Sequence, residues 1–244
     1  MEKRIIARGL LAGAIGGVLA FLFARILLEP VIDRAIAYED EAAHAHGAHE
    51  HGVELFTRGV QANIGMGFGV LAFSVAMGAL FAVVYCVAYG RVGNISPRLL
   101  SVLLAGGMFL SLYVIPFLKY PASPPALSLD DTIQQRTLLY LLMVVLSAGL
   151  LVAAVVLGRN LAARYGGWSA TLIAAGSYVL AVAVVMLVLP SIHETPGDFP
   201  ADVLYDFRLY SLGTQLVMWA AIGLVFAPMV ARVLGETRRE PISA

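Results

Sequence analysis

Six apolar stretches of about 20 residues divide the chain, at roughly 9–28, 66–89, 98–118, 137–158, 169–190 and 209–231. An α-helix of that length matches the ~30 Å hydrocarbon layer of a bilayer. None of the six carries a charge near its centre; Arg25 lies close to the end of the first, and Arg98 opens the third. Arg25 and Glu29, four apart on one helix face, are placed to pair, or Arg25 to reach the interface. The connections alternate between long (29–65, 119–136, 191–208) and short (90–97, 159–168). The pattern predicts an all-α integral membrane protein: one transmembrane domain over 1–244, built as a bundle of six helices, with a His-rich loop at 29–65.

Lys and Arg fall unevenly about these stretches. With six crossings, Lys3, Arg4, Arg8, Arg91, Arg98, Arg159, Arg164, Arg232, Arg238 and Arg239 share one side. The other side holds Arg34, Arg58, Lys119, Arg136 and Arg208, in much longer loops. Positive charge marks the cytoplasmic side, so both termini are expected inside and the long loops outside, in a bacterial inner membrane. Lys3, Arg4 and Arg8 resemble the basic start of a signal peptide. The apolar run to Leu28 is long for one, and the first stretch is expected to be retained.

Each outgoing stretch ends near a proline (Pro30, Pro116, Pro190), and each returning one opens with an arginine behind an acid (Glu54 and Arg58, Asp131 and Arg136, Asp206 and Arg208). This reads as a threefold repeat of a helical hairpin. Gly9, Gly13 and Gly17 recur every four residues, and Gly65 and Gly69 open the second stretch, as in helices that pack closely in lipid. Trp168, Trp219, Tyr89, Tyr113 and Tyr120 read as interfacial anchors.

Composition agrees: 60% of residues are hydrophobic, 13% are charged, and mean hydropathy is +0.85. Net charge is zero, which removes the case for a nucleic-acid partner. The single cysteine, Cys86, lies in an apolar run and reads as a packing residue, with no partner for an intrachain disulfide.

The candidate chemistry sits in the long loops. "AHAHGAHEHG", 43–52, places His44, His46, His49 and His51 in eight positions beside Glu50. Imidazole suits Co, Ni, Zn and Cu without choosing among them. Paired histidines two apart point to one side of an extended chain, and Gly47 and Gly52 give it freedom to fold round an ion. A second cluster follows Pro190: His193, Glu194, Asp198 and Asp202, the aspartates continuing at Asp206 with a spacing of four. Acids there also offset a helix dipole with no ligand at all. Thr132 and Gln135 form a capping-box pattern opening the fourth stretch. Within the membrane, Asn63, Thr214 and Gln215 form a candidate polar path. The sequence holds no P-loop, GxSxG or HExxH pattern, so a non-enzymatic role is expected.

"FLKYPASPP", "RTLLYL" and "HETPGDFPADVLYDFRLYSLGTQL", together with the N-terminal "RGLLAGAIGGVLAFLFARILLEPVIDRAIAYEDE", resemble the predicted cobalt transporter (CbtA) family. The resemblance covers essentially the whole chain. It implies a bacterial inner-membrane component for cobalt uptake, linked to cobalamin supply. It also implies a small single-span, His-bearing partner (CbtB-like), and no organic cofactor. Family members are usually described with five spans, against six here. A non-transporting accessory component of a larger membrane complex, and a metal sensor or buffer, are the competing readings.

Overall fold

The structure is a computed structural model that describes residues 1–45, 57–127, 130–192 and 195–237. Among these residues the regular structure is all helical. Five helices are long and apolar enough to cross a membrane: Glu2–Glu41, Arg58–Ala88, Pro97–Lys119, Thr132–Val188 and Ala201–Gly235. Hydropathy separates six stretches because 137–158 and 169–190 both fall within the fourth of these runs. The chain divides into two compact units, one of 1–106 with 200–244 and one of 107–199.

In the first unit, the first helix lays its glycine face on the second. A Cβ added at Gly13 would sit 2.5 Å from the Ser74 carbonyl oxygen, and one at Gly17 would sit 3.0 Å from the Ser74 Cβ. Gly9 and Gly78 face each other's backbone even more closely. Ser74 Oγ, fully buried, donates to the Gly13 carbonyl at 2.7 Å. Lipid tails are as apolar as Leu, so this close backbone approach is what holds two such helices together. Gly65 and Gly69 take no part: a Cβ at Gly69 would meet nothing within 4 Å. The small face of the second helix is Ser74, Gly78 and Ala82 instead.

The last helix closes the unit. Gly16 lies against the Met218 carbonyl, and Gly213 against the Phe23 ring. Ser101 Oγ donates to the Gly223 carbonyl at 2.8 Å. Phe226 packs edge-on to Phe81 and Tyr85, with ring centroids 5.1 and 5.2 Å away. Trp219 is buried within this unit at 2% exposure rather than standing at an interface. Trp168, at 78% exposed, fits the anchor reading.

In the second unit, the fourth helical run contains Gly166 with φ 76° and ψ 158°. Only glycine adopts that backbone without strain. Ser147 Oγ lies 2.8 Å from Tyr178 Oη although the two are 31 residues apart. A straight helix would hold them about 46 Å apart, so the chain doubles back at Gly166. A Cβ on Gly158 would lie 3.1 Å from Ala174 Cβ, as the same hairpin requires. Met143, Ala154, Tyr178 and Val182 form its core with Tyr120.

Several boundaries differ from the sequence reading. The first helix continues through Ala45, and the second starts at Arg58, so residues 29–45 are helix and not loop. His44 is therefore helical, not part of an extended strap. Thr132 lies inside a helix that starts at Asp130, two residues before the expected cap.

Three π-helical turns interrupt the helices, at Ala24–Leu28, Gln61–Gly65 and Leu110–Val114. Pro30 and Pro116 each come two residues after one. Proline lacks an N–H, and its ring crowds the carbonyl four residues back. A widened turn relieves that crowding.

Candidate functional site

Arg25, Glu29, Asp33, Arg34, Arg58, Asp202 and Asp206 of the first unit gather where its helices meet the two long connections. Arg58, at the start of the second helix, donates Nη2 to Glu29 Oε1 at 2.5 Å and to Asp33 Oδ1 at 2.8 Å. Glu29 is only 3% exposed. One turn further on, Arg34 donates to Asp206 Oδ2 at 2.7 Å, with Asp202 Oδ2 3.6 Å away. Arg25 donates Nε to Asn63 Oδ1 at 2.9 Å, which joins the first two π-turns. Three arginines thus tie the first helix to the second and the last.

This arrangement replaces the expected pairing of Arg25 with Glu29. A helix delivers residues 25 and 29 to one face, but here each is taken by a neighbouring helix. A π-turn inserts one extra residue and rotates the helix beyond it, and this one contains Arg25 and ends just before Glu29.

The path residues are accounted for locally. Asn63 is exposed, with Oδ1 held by Arg25 and Nδ2 donating to the Gly59 carbonyl at 2.8 Å. Thr214 Oγ1 donates back to the Tyr210 carbonyl at 2.8 Å, and Gln215 is half-buried on the same helix. Among the described residues, Trp219 Nε1 is a buried donor with no hydrogen-bond partner. No sequence signal pointed to it.

Of the candidate metal ligands, His46, His49, His51, His193 and Glu194 lie outside the described residues. His44 is exposed, and its Nδ1 lies 2.6 Å from the Asp40 carbonyl oxygen. A carbonyl can only accept, so Nδ1 is the donor in this contact. Asp198 is exposed just ahead of the last helix. Asp202 lies in its first turn, with its side chain 74% exposed. Among the described residues, no three His, Cys, Asp or Glu side chains come together in a way that could hold a metal.

The second unit carries a cleft of about 430 Å³ between the end of the third helix and the start of the fourth. Tyr113, Phe117 and Tyr120 line one wall, and Ile133, Arg136, Thr137, Tyr140 and Leu141 the other. Tyr120 donates to the Pro190 carbonyl at 2.8 Å, and burial pushes its hydroxyl pKa upward, which keeps the donor proton in place. Lys119 Nζ donates to Ser191 Oγ at 3.0 Å.

Long apolar helices in series, tied to their neighbours by glycine contacts and end-on ion pairs, define a polytopic membrane protein. The chain matches the family described as Probable cobalt transporter subunit (CbtA) over residues 2–231, and it belongs to that family. No curated protein and no solved structure matches it.

Proposed function

We propose that this chain is the membrane component of an uptake system for a divalent transition metal, cobalt before nickel, zinc or copper. The observation that carries the reading is the family match over residues 2–231, in a chain whose helices are built to cross a membrane. The fourth helical run is 57 residues, about 85 Å if straight, far more than one bilayer. Its reversal at Gly166 favours two crossings, hence six in all with both termini cytoplasmic. The π-turns at 24–28 and 110–114, each with a proline two residues beyond, support a hairpin repeat for its first two members.

On this reading the histidines of 44–51 raise the metal concentration at the outer face. His193 with Glu194, Asp198 and Asp202 then receives the ion at the mouth. Asp202 is shared with Arg34, so an arriving cation competes with a guanidinium for that carboxylate. Passage inward along Asn63, Thr214 and Gln215 requires Arg25 to release Asn63, since a cation does not pass a fixed positive charge without other ligands. A small single-span, His-bearing partner supplies the ligands that these spans lack. An inside-negative potential contributes about 4.6 kcal/mol per 100 mV for a divalent ion, so no ATP is needed in principle.

The test is accumulation of labelled cobalt, nickel and zinc by cells with and without this chain, at submicromolar metal. Cobalt accumulation that depends on the chain is expected. Equal accumulation of all three metals in both strains sinks the reading.

A further inference from the structure

The last helix, which runs from Ala201 to Thr237, carries two neighbouring rows of residues spaced by four. The first row is Thr214, Met218 and Ile222, and it packs on the first helix. A Cβ added at Gly16 would sit 3.1 Å from the Met218 carbonyl oxygen and 3.3 Å from Ile222 Cγ1. The Thr214 hydroxyl is spent on the Tyr210 carbonyl. The second row is Ser211, Gln215, Trp219 and Gly223. It is closed at Gly223, where an added Cβ would lie 2.5 Å from Ala105 Cβ and Ser101 Oγ donates to the Gly223 carbonyl. Burial deepens toward that end: Ser211 and Gln215 are half-buried, and Trp219 is 2% exposed.

Trp219 stands about 15 Å along the helix from the start of the apolar stretch at 209, the middle of a hydrocarbon layer of about 30 Å. Polar groups at that depth have no bulk water to bond. Yet Trp219 Nε1 is a buried donor with no partner, and Gln215 makes no hydrogen bond among the described residues. Helical side chains lean toward the preceding turn, which lays the Trp219 indole over Gln215. Four residues rise about 6 Å, too far for one hydrogen bond and close to two in series. An indole N–H only donates, so the missing partner is an acceptor and not a metal ion.

We propose that a water molecule is bound between Trp219 Nε1 and the Gln215 amide, at the blind end of a short file of water that enters past Ser211. The water accepts from Nε1 and donates to Gln215 Oε1, and its remaining valences continue the file toward the long-connection end. Buried water typically makes about three hydrogen bonds to groups otherwise left unsatisfied, and this row supplies them. The file would also hydrate an ion in transit, a link that rests on the uptake reading, whereas the water site itself does not.

The experiment uses the full-length Trp168→Phe variant in detergent, with and without Gln215→Leu, and needs no metal. Trp168 is 78% exposed, so its replacement leaves the fold intact and Trp219 as the only tryptophan. Ultraviolet resonance Raman reads hydrogen bonding at the indole N–H. Radiolytic hydroxyl-radical footprinting reads bound water beside the ring, with fully buried Phe226 as the dry control. Trp219 should show a hydrogen-bonded N–H and oxidation clearly above Phe226. Gln215→Leu should shift the band to the free position and remove most of the oxidation. A free N–H in the Trp168→Phe protein overturns the proposal. So does a bonded N–H with oxidation no higher than at Phe226, since the partner is then a protein group, and so does a folded Gln215→Leu protein in which neither readout changes. If Gln215→Leu does not fold, the two readouts on Trp168→Phe alone decide.

Discussion

Arg58→Gln and Glu29→Gln remove opposite halves of one ion pair, and the structure predicts unequal costs. Glu29 is 3% exposed, whereas the Arg58 side chain is 36% exposed and keeps Asp33 as a second partner. Arg58→Gln strands a buried carboxylate. Breaking a fully buried pair in this way costs about 3–5 kcal/mol. Water reaches the arginine side here, which discounts the figure to about 2–3 kcal/mol. Glu29→Gln leaves an arginine that still has Asp33 and solvent, at about 1 kcal/mol. The double variant has no stranded charge and should cost less than Arg58→Gln alone. The assay is reversible unfolding in mixed micelles, followed by circular dichroism on all four proteins. Additive single costs, or a Glu29→Gln cost as large as that of Arg58→Gln, would refute the reasoning.

Gly78→Ala should destabilise by about 2 kcal/mol or more in the same assay, because its Cβ meets backbone atoms of Gly9 and Gly13 that cannot step aside. Gly69→Ala, with nothing near it, is the matched control and should be close to neutral. In a Cys86→Ser background, Gly47→Cys should react with an impermeant maleimide added outside, and Ala162→Cys should not. The reverse labelling overturns the orientation. Deleting 43–52 should mainly raise the metal concentration for half-maximal uptake, whereas His193→Ala should lower the maximal rate as well. If the deletion abolishes uptake at every concentration and His193→Ala changes nothing, the strap is itself the translocation site.

The apolar stretches were readable because the bilayer imposes one length on every crossing. Gly9, Gly13 and Gly17 were readable because close helix approach imposes one spacing. Their partner face was not: Ser74, Gly78 and Ala82 share that spacing, but Gly65 and Gly69 show it as well, and only packing tells them apart. Helix ends ran past the apolar stretches, since Glu29, Asp33 and Arg34 are held by ion pairs to neighbouring helices and hydropathy does not register those. The Arg58 and Arg34 pairs depend on π-turns that rotate the residues after them, and a pattern read at 3.6 residues per turn misassigns them. Trp219 shows a similar limit: position along the stretch fixes its depth in the helix, not which face is buried. The candidate metal ligands are legible in the sequence only as residue types: His46, His49 and His51 lie outside the described residues, and among the described residues no three His, Cys, Asp or Glu side chains come together. The folded chain adds the Nδ1 contact of His44 with the Asp40 carbonyl and the ion pair of Arg34 with Asp202.

The central claim, that this chain moves cobalt across a membrane, is tested most directly in proteoliposomes. The purified chain, alone and with the proposed single-span partner, is reconstituted, and labelled Co²⁺ influx is followed with and without an inside-negative potassium diffusion potential. The account predicts saturable influx that needs the chain, rises with the potential and is fastest with the partner present. Influx no faster than in protein-free vesicles, with the partner present and the potential applied, would contradict it.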